Sequence, residues 1–293
     1  MKNLNIRCVG VFVAAIASLV GQASAATFYG VTTNGKLNLF DTTAQTVTFV
    51  SNLHIGPTML NQGFVELTDD GAGNLLGIRS YSGDGGFPPP QFNEVIRVTN
   101  IAAGNSLLST SFGPGFLSNV HNGVAFRSSN GSHYAVRNSD GQLGTFNVSN
   151  GAFASVAGTA HGSPWYVHAL AVNPVDGVAY GLIDNGIPIF GTADFALIRM
   201  DLDTGLSTFV GSLGLGTSAF MQGGLRFDNN GVAYTVNPAD GNVYTVNTTT
   251  GAASLLFAGG ANAVGTTGIA FIPAPGAVGL LLAGAGLAAR RRR

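Results

Sequence analysis

A four-residue apolar run returns five times along the chain, and that recurrence limits the folds open to it. The runs are FYGV at 28–31, LLGI at 75–78, HYAV at 133–136, AYGL at 179–182 and AYTV at 233–236. Each is followed by a second run with apolar residues three apart: Leu37 and Phe40, Val95 and Val98, Leu143 and Phe146, Leu197 and Met200, Val243 and Val246. A small polar residue comes next (Asp41, Thr99, Asn147, Asp201, Asn247), then a turn and a third run. In four of the five units that turn carries a glycine: Gly104, Gly151, Gly205 or Gly251. Apolar runs this short, separated by Gly- and Asn-rich turns, read as strands. Self-similarity at roughly 40–50 residues with several strands per unit is the pattern of a β-propeller blade.

A further strand precedes every tetrad except the first, at 63–67, 123–126, 169–172 and 224–227. The missing piece lies at the other end, where GIAF at 268–271 matches GVAF at 123–126. A C-terminal strand that completes the first blade would leave no sheet edge open between the two ends of the body. The expected fold is all-β: a five-bladed propeller over residues 26–272, closed by the C-terminal strand. An irregular sandwich or solenoid is the other arrangement these runs allow, and it would not need the terminal complement.

Composition agrees with a turn-rich β chain: of 293 residues, 43 are glycine, 45% are hydrophobic and only 9% are charged. The net charge of −1 hides an asymmetry, because Lys2, Arg7 and the four arginines at 290–293 lie outside the body. Seven basic residues then face 14 acidic ones between 26 and 272, which gives no electrostatic reason to expect nucleic acid. The one cysteine, Cys8, precedes the body, so no disulfide is expected within it.

The segments outside the body look like addresses. Lys2 and Arg7, an apolar run at 9–20 and Ala23-Ser24-Ala25 form a three-part secretory signal over 1–25, with cleavage expected before Ala26. At the other end, Pro273-Ala274-Pro275-Gly276 leads into an apolar stretch at 277–289 and then Arg290, Arg291, Arg292 and Arg293. Thirteen residues make a helix of about 20 Å, short of the ~30 Å hydrocarbon core, so a transient or short transmembrane anchor is expected. The arginines would hold their end at the cytoplasmic side. A Pro-marked motif, a short apolar helix and a terminal Arg run at 273–293 together resemble the PEP-CTERM sorting signal. Ala274 stands where the namesake motif has Glu between its prolines. The resemblance implies export in a Gram-negative-type bacterium, an exosortase-type processing partner acting near Pro273 and Pro275, and a place at the cell surface, outer envelope or extracellular matrix.

In a blade whose strands a, b, c and d run outward from the axis, the d–a and b–c connections share one face. Most b–c turns here are tight, but blades two and four carry SYSGDGGFPPPQFN at 80–93 and IDNGIPIFGTADF at 183–195. Long connections of this kind are usually functional. His54, His121, His161 and His168 fall in or beside d–a connections, as do Trp165 and Tyr166, while Tyr81, Phe87, Phe92 and Phe190 lie on the insertions. Aromatic and polar groups converging on a central pit suit a saccharide or peptide. The same groups would equally serve to plug the axis. The candidate ligand-binding set is Tyr81, Asp84, Trp165, Tyr166, His168, Phe190 and Asp194.

Catalytic and metal chemistry has less support. No two histidines have a tight ligand spacing, and no cofactor or metal is expected. Asp201-Leu202-Asp203-Thr204-Gly205 lacks the remaining ligands of a calcium loop and reads as a turn. Asp41, Asp70, Asp140, Asp176, Asp228 and Asp240 also adjoin turns, which leaves Asp84, Glu94, Asp184 and Asp194 for the elaborated face. The expected function is binding or structural, with extracellular polysaccharide as partner, since proteins with the resembled tail tend to accompany exopolysaccharide. The alternative is a hydrolase or lyase on extracellular glycan, using two of those acids as an acid–base pair.

Overall fold

The computed structural model describes residues 26–61, 63–82, 91–112, 120–137, 141–150, 152–156, 167–185, 194–215 and 223–271. They form an all-β, five-bladed propeller. Blade one holds β1 (Thr27–Thr32), β2 (Lys36–Asp41) and β3 (Thr46–Asn52). Blade two holds β4 (His54–Ile55), β5 (Thr58–Met59), β6 (Phe64–Asp69), β7 (Leu75–Ser82), β8 (Gln91–Asn100) and β9 (Asn105–Phe112). Blade three holds β10 (Val120–Arg127), β11 (Ser132–Arg137), β12 (Gln142–Phe146) and β13 (Phe153–Ser155). Blade four holds β14 (Val167–Val172), β15 (Ala179–Asn185), β16 (Asp194–Met200) and β17 (Ser207–Ser212). Blade five holds β18 (Leu225–Phe227), β19 (Ala233–Val236), β20 (Asn242–Val246) and β21 (Ala253–Ala258). The last strand, β22 (Thr266–Ala270), pairs with β1 through Tyr29↔Ala270 and Gly30↔Ile269, so the first sheet reads β22-β1-β2-β3.

Burial falls from the axis outward, and this explains the repeat. The inner strand β22 is buried at all five positions, and so are the four residues of β19. Both faces of these strands pack against neighbouring blades, so their sequences lack the apolar–polar alternation of a half-solvated strand. The outer strands β3 and β21 are mostly exposed. Five apolar clusters lie between successive blades. The one between blades five and one joins Phe28 and Phe40, stacked at 4.8 Å, to Tyr234 and Ile269.

The small polar residue after the c strand has a specific task. Asp41 accepts hydrogen bonds from the N–H groups of Thr43 and Ala44, Asp201 from those of Asp203 and Thr204, and Asn247 from those of Thr249 and Thr250. Each side chain thereby stands in for a backbone acceptor and turns the chain into strand d. In blade five the turn ends on Gly251, at φ 80°, where a Cβ would lie 2.4 Å from the Gly211 carbonyl oxygen of blade four. The glycine is required both for the left-handed conformation and for the close approach of the two blades.

Blade two departs from the four-strand pattern. Its sheet has six strands in the order β5-β4-β9-β8-β7-β6, because the connection leaving blade one folds into the β4–β5 hairpin and β4 runs parallel to β9. The His54 N–H donates to the Gly104 carbonyl, and the Ser51 hydroxyl to that of Ile101. His54 therefore sits at the outer rim of blade two, which corrects its expected place among groups converging on the axis. The connection leaving blade one thus docks on the outer edge of β9, beside the c–d turn of blade two.

Candidate binding face and the axial polar pair

The b–c hairpins differ in height. The β7–β8 ladder runs from Leu75↔Val98 to Ser82↔Gln91, and β15–β16 from Ala179↔Met200 to Asn185↔Asp194. In blades one and five the equivalent ladders stop at Val31↔Leu37 and Val236↔Val243. At ~3.3 Å per residue, the β7–β8 and β15–β16 ladders extend about 10 Å beyond those of blades one and five. They flank blade three on the face expected to be elaborated.

Of the proposed ligand contacts, Asp84, Trp165, Tyr166 and Phe190 lie outside the described residues, as do His161 and Phe87. Tyr81 pairs with Phe92 near the top of the β7–β8 hairpin, and Asp194 opens β16 opposite Asn185. His168 occupies an irregular position on β14, between the pairs Val167↔Ile183 and Ala169↔Leu182, with its ring edge-on to Phe195 at 5.5 Å. Glu94 does not stand free on the elaborated face. It forms a 2.6 Å ion pair with Arg79, its direct cross-strand partner, and both side chains are largely buried. The Arg79 guanidinium also lies 5.5 Å from the centre of the Phe64 ring. Among the described residues, no group of three or more His, Cys, Asp or Glu side chains could hold a metal.

The axis holds polar residues that sequence reasoning missed. Opposite the second residue of each tetrad, the inner strands place Ala270, Thr68, Ala125, Ala171 and Arg226. Opposite the fourth they place Gly268, Glu66 and Ala169, with Gly123 and Gly224 next in line on blades three and five. Small residues are needed because the strands converge: a Cβ on Gly268 would lie 2.1 Å from the Leu67 nitrogen. Against this pattern stand Glu66, fully buried, and Arg226, 6% exposed.

Arg226 reaches across from blade five. Its Nη1 donates to the carbonyls of Leu170 (2.6 Å) and Leu225 (2.8 Å), and its Nη2 to those of Leu67 (2.6 Å) and Val124 (3.0 Å). Inner strands of blades two to five thus share one guanidinium. Glu66 Oε1 lies 3.5 Å from Nη2 and accepts the Leu67 N–H. Burial pushes the Glu66 carboxyl up to about 8, with Arg226 and the Leu67 and Val124 N–H groups pulling the other way. Burial also raises Asp69, on the same strand, and lowers His133, whose Nε2 lies 2.9 Å from the Asp69 carbonyl oxygen. The available sequence signal was a charge at an inner-strand position: ELTD at 66–69 and GLRF at 224–227, where the aligned runs read GVAF at 123–126 and GIAF at 268–271.

No protein-family model and no curated protein matches the sequence. Solved structures do. A chain of a nidogen/laminin complex is similar over 85% of this chain and 98% of its own, with 9% identity and a TM-score of 0.51. A structural-genomics protein of unknown function from Bacteroides thetaiotaomicron is similar over 79% of this chain and 55% of its own (17% identity, TM-score 0.47). For an auxiliary nutrient binding protein from Bacteroides ovatus the figures are 78% and 54% (13% identity, TM-score 0.44). At 9% identity, the likeness to the chain of the nidogen/laminin complex speaks to the fold alone and not to what this chain binds.

Proposed function

We propose that this protein is an exported, surface-attached binding module that takes extracellular polysaccharide on the face bearing the raised hairpins of blades two and four. The height of those hairpins over blades one and five is the observation that carries the reading. Two walls beside the low hairpins of blades one and five favour a concave surface, which is where ligands are held. Arg226 obstructs the middle of the axis, which favours approach from a face over threading through a channel. The resemblance of the tail at 273–293 to the PEP-CTERM signal supports a position in the cell envelope or matrix. Pairing of β22 with β1 is the contact that closes the ring, in this reading.

A glycan array probed with the full body identifies the ligand class, and release of reducing sugar from each hit is then measured. Binding without release supports the module. Turnover that falls by orders of magnitude in Asp84→Asn and Asp194→Asn would make the protein a glycan hydrolase instead.

A further inference from the structure

Glu66 and Thr68 stand two residues apart on β6 and share one side of the strand. Both are fully buried, and among the described residues neither Glu66 Oε2 nor Thr68 Oγ1 has a hydrogen-bond partner. The other inner strands place Gly or Ala opposite the same tetrad residues, apart from Arg226, so packing of the ring does not call for polar side chains there. A buried polar atom without a partner costs about 1–3 kcal/mol. Two such atoms on one side of β6, one of them on the carboxyl that faces the Arg226 guanidinium, point to a ligand.

We propose that the axis binds one small monatomic anion, of the chloride type, between the side chains of Glu66 and Thr68 beside Arg226. The charge and chemistry of the neighbours select that class. A cation is opposed by the guanidinium 3.5 Å from Glu66 Oε1. The terminal nitrogens of Arg226 bond to neutral carbonyls, which orient the group without cancelling its charge. With Glu66 protonated, Oε1 still accepts the Leu67 N–H and Oε2 becomes an O–H donor. The Thr68 hydroxyl is the second donor, and two O–H donors beside a cation match a halide.

Ionised Glu66 neutralises Arg226 by itself, so anion and proton bind together and are lost together. Arg226 from β18, Asp69 from β6 and His133 from β11 are the described charged or titratable groups that set this balance.

Thermal unfolding of the full chain in sodium chloride and in sodium gluconate at equal ionic strength tests the site, at about pH 6 and about pH 9.5, on either side of the carboxyl's titration. Chloride is expected to raise the wild-type Tm by several degrees over gluconate at the lower pH and by almost nothing at the higher. Glu66→Gln keeps an N–H donor and should show the chloride effect at both. Thr68→Val should lose it at both. A wild-type chloride effect no larger than that of Thr68→Val overturns the proposal, as does an effect undiminished at the higher pH. If Thr68→Val fails to fold, bromide-soaked crystals decide: an anomalous peak beside Glu66 Oε2 supports the site, and its absence removes it.

Discussion

Nη2 of Arg226, on the innermost strand of blade five, lies 3.5 Å from Oε1 of Glu66 on the innermost strand of blade two. The two residues are 160 positions apart in the chain. The same nitrogen donates to carbonyls of blades two and three while its twin donates to one of blade four, so one side chain ties strands that no local pairing connects. Arg226→Met should therefore lose about 3–5 kcal/mol, because buried carbonyls lose their donor and the axis loses its tie. Denaturant unfolding of both proteins at neutral pH measures this. A loss below about 1 kcal/mol would show that the guanidinium fills space without holding the ring.

Stability should fall as pH rises, for a stated reason. Glu66 has its folded pKa raised from 4.5 to about 8, so its contribution is fully present below the lower value and is lost as pH climbs through the upper. Between them the slope is roughly 1 kcal/mol per pH unit. Asp69, also raised, adds the same sign, whereas lowered His133 stabilises above its ordinary range and opposes it. The difference between wild type and Glu66→Gln isolates the glutamate: the variant should gain on the wild type from about pH 5 to about pH 8. Parallel pH profiles would refute the assignment.

The C-terminal strand should be indispensable. Ile269 is fully buried and packs with Phe28, Phe40 and Tyr234 between blades five and one. Ile269→Ala should cost about 2–5 kcal/mol. A chain of residues 26–265, which lacks β22, should aggregate or fail to unfold cooperatively. If it is as stable and monomeric as 26–272, β22 does not close the ring.

Ligand binding should separate the two faces. On the proposed binding role, Trp165→Ala should weaken glycan affinity by about tenfold or more, the usual loss for an aromatic ring that anchors a ligand (about 1–3 kcal/mol). Asn247→Ala, in an exposed c–d turn of blade five, should leave affinity unchanged. Titration with a glycan found on the array gives both numbers, and the reverse ranking would move the site to the opposite face.

The sequence by itself determined the blade. Tetrads, the apolar pair three residues apart and the Asx residue that follows are local instructions, because strand pairing within a blade and the turns between strands are made by near neighbours. It also showed that the complement to the first blade lies at 268–271, since GIAF repeats GVAF. The tertiary structure alone decided what meets at the axis. Glu66 and Arg226 each look like a charge at an inner-strand position, and nothing in their spacing joins them. Convergence of five inner strands makes them neighbours, and it is this crowding that removes water and raises the Glu66 carboxyl. His54 shows the same limit from the other side. Its position in a connection was legible, but the docking of this connection on the outer edge of β9, where the Gly104 carbonyl accepts its N–H, is a property of packed blades.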